Sequence, residues 1–312
     1  MLLSILYIIF NLKSTVFLII KNAKIRKKFL NISEQVELLK RRGLFFEDEN
    51  RLRFYLKHIN YYHLSAYFKT FQNNYENFKS DTSFEDILDL YNFDKKLRLL
   101  LLDILERIEI SFKSVLSHDI TKYRDDLYWY LPEKNNYGEI FEKIEKIIES
   151  LKNSKEIYIK HFFEKYREEK NIPAWIFFEG LTFGECSLIA RNLDDSNKKT
   201  IASFYKLPKR TCIQMLHHLS ILRNLCAHHS WVWNRSFTFR TSLYRKYQEE
   251  FSDIGDDSLY MLLISIQIFI KKISPNSDWL DNLEKLIDDY NIEIHRMGFP
   301  KDWKQRLEPI SN

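Results

Sequence analysis

The chain has 312 residues, 45% of them hydrophobic and 15% aromatic, which supplies a substantial core and excludes a largely disordered protein. Six glycines and six prolines are too few for the turns of a β-sandwich or a doubly wound α/β fold, and long stretches at helical spacing point to an all-α protein. The 48 basic and 43 acidic residues leave a net charge of +5, a mild excess that permits a polyanionic partner without requiring one.

Residues 1–30 stand apart. "MLLSILYIIF" is apolar, Asn11, Lys13 and Ser14 interrupt it, and "TVFLII" resumes before a basic "KNAKIRKK". No run of 18 apolar residues exists, and the positive charge follows the apolar part rather than preceding it. Neither a spanning helix nor a signal peptide is expected. The segment reads as an extension from a start site placed too far upstream, with membrane association through residues 1–20 as the lesser alternative. "KIRKK" is too short to tell acidic lipid from RNA.

From Ile32 the pattern is regular. In "SEQVELLKRRG", Ser33 is placed to cap a short helix and Gly43 to end it. "DENRLRFYLKHINYYHLSAYFKTFQ" is helical and aromatic-rich, with a polar loop, "NNYENFKSDT", after it. The longest periodic segment follows Ser83 as cap. In it Leu97, Leu101, Ile104, Ile108 and Val115 share one stripe, with Glu106, Glu109 and Lys113 roughly opposite. "EIFEKIEKIIESLKN" is amphipathic, and the weakest joint falls near 124–138. "IPAWIFFEGLTFGECSLIARNL" carries a Pro-Ala-Trp start and a break at Gly184. Helices at "RTCIQMLHHLSILRNLCAHHSW", "SLYMLLISIQIFIKKI" and "WLDNLEKLIDDYN" complete the chain. No repeat, low-complexity block or Gly/Ser linker divides it. The expectation is one compact helical domain over residues 31–304 and a short tail, 305–312. Cys186, Cys212 and Cys226 form no C-x-x-C pair and no disulfide framework, so a reducing cytoplasmic setting is expected.

The chemistry concentrates in "ILRNLCAHHSWVWNR", Ile221 to Arg235. On a helix from Gln214 to His229, Met215, Leu219, Leu222 and Cys226 form the apolar stripe. Asn224 falls opposite, with His217 and His228 within roughly 40° of it. His229 falls near the stripe and reads as a packing histidine, so His228 is the better reagent. Arg223 lies about 140° around the axis from His228. Long arginine reach, a distortion near Ala227, or a second copy of the chain would bring the two together. An imidazole can take a proton from a ribose 2′-OH or return one to the leaving 5′-oxygen. A guanidinium can stabilise the charge on the phosphorane oxygens. Asn224 can orient the histidine or hold a phosphate oxygen. These residue types suit metal-free RNA cleavage, although R-x-x-x-x-H by itself is a weak pattern.

Two other readings compete. Cys212, His217, His218, Cys226, His228 and His229 cluster in sequence, yet they lack C-x-x-C and H-x-x-x-H spacings and occupy several helix faces, so no metal site is expected. Trp231 and Trp233 could stack on bases, with burial beside the helix end as the commoner fate.

Six segments in order, "ISEQVELLKRRG", "LKHINYYHLSAYF", "TSFEDILDLYNFDKKLRLLLLDILERIEI", "PAWIFFEGLTFGE", "LRNLCAHHSWVWNR" and "MGFPKDW", resemble the Abi family of bacterial abortive-infection proteins, the AbiD/AbiF-like group. The resemblance spans about residues 32–304. It implies a HEPN-type helical bundle with additional helices, whose members dimerise and cleave RNA through R-x-x-x-x-H without a cofactor. The implied catalytic residues are Arg223, Asn224 and His228, with His229, Trp233, Asn234 and Arg235 in the adjoining segment. It places an arginine where this chain has Lys113, which keeps the charge and loses the bidentate fork. Glu106 and Glu109 would pair with Arg223 or orient it, although a solvated helix face is the usual fate of such acids.

The resulting expectation is an endoribonuclease of phage defence that leaves a 2′,3′-cyclic phosphate and acts as a homodimer on RNA. The sequence leaves open whether an antitoxin or a noncoding RNA restrains it. The alternative is a non-catalytic RNA-binding or sensing module that holds a small RNA or a partner protein.

Overall fold

The computed structural model describes residues 29–73 and 76–310, and these are helical, with no strand among them. The start-site and membrane readings of residues 1–28 lie outside the described residues. The chain divides into two compact units, one ending at Glu85 and the other beginning at Asp86.

The first unit holds α1 (Ile32–Arg41), α2 (Glu49–Ile59), α3 (Tyr61–Phe71) and the first residues of α4 (Phe84–Ser114). Asn31, rather than Ser33, caps α1. Its side chain accepts from the Glu34 N–H, and the Glu34 carboxylate accepts from the Asn31 N–H. Ser33 sits in the first turn and receives Arg53 Nη1 at 2.9 Å. Gly43, at φ 86°, ends α1 as expected, because only its left-handed backbone lets the Leu44 N–H reach the Leu39 carbonyl (3.0 Å). Asp48 and Asn60 cap α2 and α3. Val36, Leu39, Leu52, Leu56, Leu64 and Phe68 form the core of this unit.

The second unit is built on α4, which starts directly after Ser83 as its sequence predicts. Its stripe of Leu97, Leu101, Ile104 and Ile108 is fully buried, as is Val115, which continues it just beyond the end of the helix. The helix passes through a π turn (Val115–Asp119) into α5 (Ile120–Arg124). The stretch 124–138 carries the fully buried Trp129 and Tyr130, and Tyr130 lies flat on Phe177 with ring centroids 3.8 Å apart. Then come α6 (Phe141–Lys152), α7 (Ile157–Lys165), α8 (Ala174–Glu179), α9 (Phe183–Asn192), α10 (Asp195–Phe204) and α11 (Lys209–Ala227). After α12 (Arg245–Gln248), every residue of α13 (Leu259–Ile273) from Leu259 to Ile270 is buried, as an all-round apolar sequence requires. Its two polar exceptions in the middle are satisfied: Ser265 donates to the Met261 carbonyl, and Gln267 binds the Leu307 carbonyl and Trp279 Nε1. Helices α14 (Trp279–Tyr290) and α15 (Trp303–Leu307) complete the unit.

Helices α9 and α11 are antiparallel. His217 meets Ser187 and Arg191, whereas Asn224, two turns further along α11, lies against Gly184 near the start of α9. Met215, Leu219, Leu222 and Cys226 are buried as the wheel places them.

Candidate functional site

Helix α11 stops at Ala227, and His228 leaves helical geometry at φ −90°, ψ 17°. His229 then takes φ 58°. Its N–H donates to the Cys226 carbonyl at 3.2 Å, and the Ser230 N–H donates to the Leu225 carbonyl at 2.9 Å. This is the same helix end that Gly43 makes for α1, with a histidine where glycine is favoured. The left-handed backbone costs a histidine on the order of 1 kcal/mol. Both histidines are exposed. His229 is therefore no packing histidine: the helix ends before it, so 100° per residue no longer places its side chain.

Arg223 turns toward α4. Its Nε donates to Glu109 Oε2 at 3.0 Å, and Lys113 Nζ stands 3.4 Å from Glu109 Oε1. Glu109 is buried, so one carboxylate in a low-dielectric position orients two cations. Lys113 also reaches the Glu179 carbonyl at the end of α8, at 3.4 Å. Glu106 is exposed on the solvated face, which separates the two glutamates that sequence left together. Arg223 Nη1 points at Asn224 Oδ1 over 3.5 Å, the long limit for such a bond. The face of α11 bearing Asn224 and His217 is partly covered by α9, and both residues stay half-exposed. A Cβ on Gly184 would stand 3.4 Å from Asn224 Nδ2.

On that face the His217 ring nitrogens meet Ser187 Oγ (3.1 Å) and Arg191 Nη1 (2.9 Å). A guanidinium only donates, so Nε2 accepts and the proton sits on Nδ1. Burial first, then Arg191, lowers the His217 pKa and keeps the ring neutral. His218 is buried on the other side, with Nδ1 2.8 Å from Thr241 Oγ1 and its ring stacked on Phe239. Burial pushes its pKa down to about 4. Cys212 and Cys226 are core thiols, and burial raises the Cys226 pKa to about 12. The residues of the zinc alternative thus point in different directions.

Beyond the histidines the chain makes a tight turn anchored from below. Asp94 of α4, fully buried, accepts through Oδ1 from the backbone N–H groups of Val232 (3.1 Å) and Trp233 (2.8 Å). Its Oδ2 pairs with Arg98, one turn along α4 and also buried. Trp233 is buried edge-on against Phe93. Asn234 is exposed at φ 46°, and Arg235 lies half-buried, donating to the Trp231 carbonyl at 3.2 Å.

Asp94 and Arg98 were not anticipated as part of this site. An Asp–Arg pair at i, i+4 inside the apolar stripe of α4 was the available signal, since acids there are buried only when paired. A second signal is a charge asymmetry: Ser196 to Gln248 holds ten lysines and arginines and no aspartate or glutamate. Some of these are paired from outside the stretch, Lys209 by Asp195, Arg223 by Glu109 and Arg240 by Asp256. A cavity of about 1130 Å³ in the first unit has Arg42, Lys57, Tyr62 and Gln35 in its lining, and none of the motif residues.

These features define an all-α protein whose polar and basic residues converge at the end of one helix. Residues 54–234, from α2 through the turn beyond α11, match the family model described as Abi-like protein. The chain belongs to that family, and so to the abortive-infection class of phage-defence proteins. No curated protein and no solved structure matches it. Among the described residues, no helix is long and apolar enough to cross a membrane.

Proposed function

We propose that this phage-defence protein is a HEPN-type endoribonuclease that cleaves RNA without a metal. The observation that carries the reading is the pairing of an exposed histidine at a helix end, His228, with Arg223 five residues earlier, its guanidinium oriented by the buried Glu109. His228 removes the proton of a ribose 2′-OH, which attacks the adjacent phosphorus. The 5′-oxygen leaves with a proton returned by the imidazolium so formed, and the product end is a 2′,3′-cyclic phosphate. Arg223 stabilises the added charge on the phosphorane oxygens, and Asn224, beside it, steadies a phosphate oxygen. Arg223 faces α4 while His228 sits on the turn beyond the helix, so in this proposal two copies of the chain face each other and complete a shared site.

The test is cleavage of end-labelled single-stranded RNA in EDTA by wild type, His228→Ala and Arg223→Ala. Wild type is expected to cut RNA, spare DNA and leave cyclic phosphate ends. Loss of His228 should slow cutting by about 10²–10⁴-fold, and loss of Arg223 by about 10²–10³-fold. Cutting abolished by chelation, or equal in the His228 variant, sinks the mechanism. RNA binding with no cutting supports the sensing alternative. A strict monomer with full activity removes the shared site.

A further inference from the structure

The turn that follows the histidines contains two tryptophans that behave differently. Trp233 is buried, and its backbone N–H is tied to Asp94. Trp231 is 44% exposed, although it carries the same bulky indole as its buried neighbour. Single exposed aromatics are common and prove nothing by themselves. What distinguishes Trp231 is how firmly its position is set. The next two residues hang from one buried carboxylate, itself locked to Arg98. Arg235 donates to the Trp231 carbonyl, and its guanidinium carbon lies over the indole, 5.0 Å from the ring centroid. The ordering entropy of an exposed indole is thereby met before any ligand arrives.

The surroundings select the ligand. His228, His229, Trp231 and Asn234 are all exposed on this one turn, Arg235 is partly so, and the chain carries no acidic residue from Ser196 to Gln248, the Asp257 carboxylate nearby being taken by Ser236 Oγ. An exposed ring with a guanidinium laid on it, in an acid-free stretch, suits a nucleobase whose backbone is anionic. Trp231 lies three positions beyond His228, no more than about 11 Å of extended chain. A base stacked on Trp231 therefore belongs to a nucleotide close to the phosphate on which His228 acts.

We propose that Trp231, with Arg235 laid over it, is a stacking platform for a base of single-stranded RNA beside the cleaved bond, and that it sets the preference among flanking bases. This rests on the ribonuclease reading. Stacking accepts every base but is stronger for purines, so a graded purine preference is expected rather than a strict motif.

The test has two arms in the full chain. In the His228→Ala background, fluorescence anisotropy measures affinity for a labelled single-stranded RNA. Adding Trp231→Ala should weaken binding about 5- to 150-fold, as expected for the loss of one stacked base. Trp231→Tyr should recover most of that loss, and an unchanged melting temperature excludes misfolding. In the background with His228 intact, cut-site profiling on random-sequence RNA should show the flanking-base preference flattened by Trp231→Ala, with the larger share of the rate loss falling on KM. Cleavage by wild type together with unchanged affinity and profile in Trp231→Ala overturns the platform and leaves the ribonuclease standing. Equal losses for Tyr and Ala also overturn it. A dimer that falls apart in Trp231→Ala, with RNA affinity intact, overturns it and assigns the indole to the contact between copies. A wild type that neither binds nor cuts RNA fails the underlying reading first.

Discussion

The carboxylate beneath the Val232–Trp233 turn makes the sharpest stability prediction. Asp94 is fully buried, faces the buried Arg98 and accepts two backbone N–H groups from Val232 and Trp233. Asp94→Asn keeps an oxygen for the two N–H groups but removes the negative charge that faces the buried Arg98, at a cost of about 3 kcal/mol. Asp94→Ala also strips both donors of their acceptor. Each orphaned N–H adds on the order of 1 kcal/mol or more, which takes the total to about 5 kcal/mol. That is a large fraction of a typical stability of ~5–15 kcal/mol. Asp94→Asn combined with Arg98→Met removes both charges, so it should be more stable than Asp94→Asn alone, because an apolar replacement of a buried pair is tolerated. Urea unfolding measures the three differences, and hydrogen exchange reads the amides of Val232 and Trp233. A cost below about 1 kcal/mol for Asp94→Asn, with both amides equally protected, would refute the reasoning.

Other consequences follow from single residues. His218 has a folded pKa of about 4, below its unfolded value, so the unfolded chain takes up the proton first. Its contribution is complete above about pH 6.5 and is lost as pH falls toward 4, up to about 3 kcal/mol. Urea curves for wild type minus His218→Gln should show that slope, and a difference flat with pH contradicts it. His229→Gly should stabilise the chain by about 1 kcal/mol by relieving the left-handed backbone, read as a raised urea midpoint; a lowered midpoint means the imidazole makes contacts that outweigh the strain. Glu109→Gln should cut RNA-cleavage kcat about 10- to 100-fold, as loss of positioning of a charge-stabilising group would. If kcat is unchanged, Glu109 does not position Arg223.

How much of this was legible in the sequence depended on where the helices end. The stripes of α4 and α11 were readable because 3.6-residue periodicity holds through the interior of a helix, and Leu97 to Val115 and Met215 to Cys226 obey it. The cap of α1 was misplaced by two residues because Ser33 and Asn31 both suit the position, and only the reciprocal bonds with Glu34 decide between them. His229 was misplaced for the same reason at the other end of a helix. Its φ of 58° is the position's requirement, and histidine does not advertise it as glycine would. Asn224 sits where the wheel put it, but no pattern within α11 reveals that α9 covers part of that face. The i, i+4 spacing of Asp94 and Arg98 marks a buried pair, but not what else it holds, because the other partners of Asp94 are backbone N–H groups 138 and 139 residues away and backbone donors carry no sequence signature.

Arg223 and Lys113 meet a single carboxylate, which leaves one positive charge at the cluster rather than none. A guanidinium has five donors. Glu109 takes the Nε–H, and one Nη1–H points toward Asn224, so further donors remain for a phosphate. Glu109 can therefore orient Arg223 without consuming it. Replacing Glu109 by glutamine raises the positive charge and would strengthen the pull on a phosphate if attraction alone mattered. The same change frees the guanidinium to adopt many rotamers. Stabilisation of a transition state requires donors already placed where the charge develops, and attraction from a mobile cation acts on bound substrate as much as on the transition state. Tighter RNA binding with slower cutting in Glu109→Gln is therefore the combination that separates orientation from simple charge.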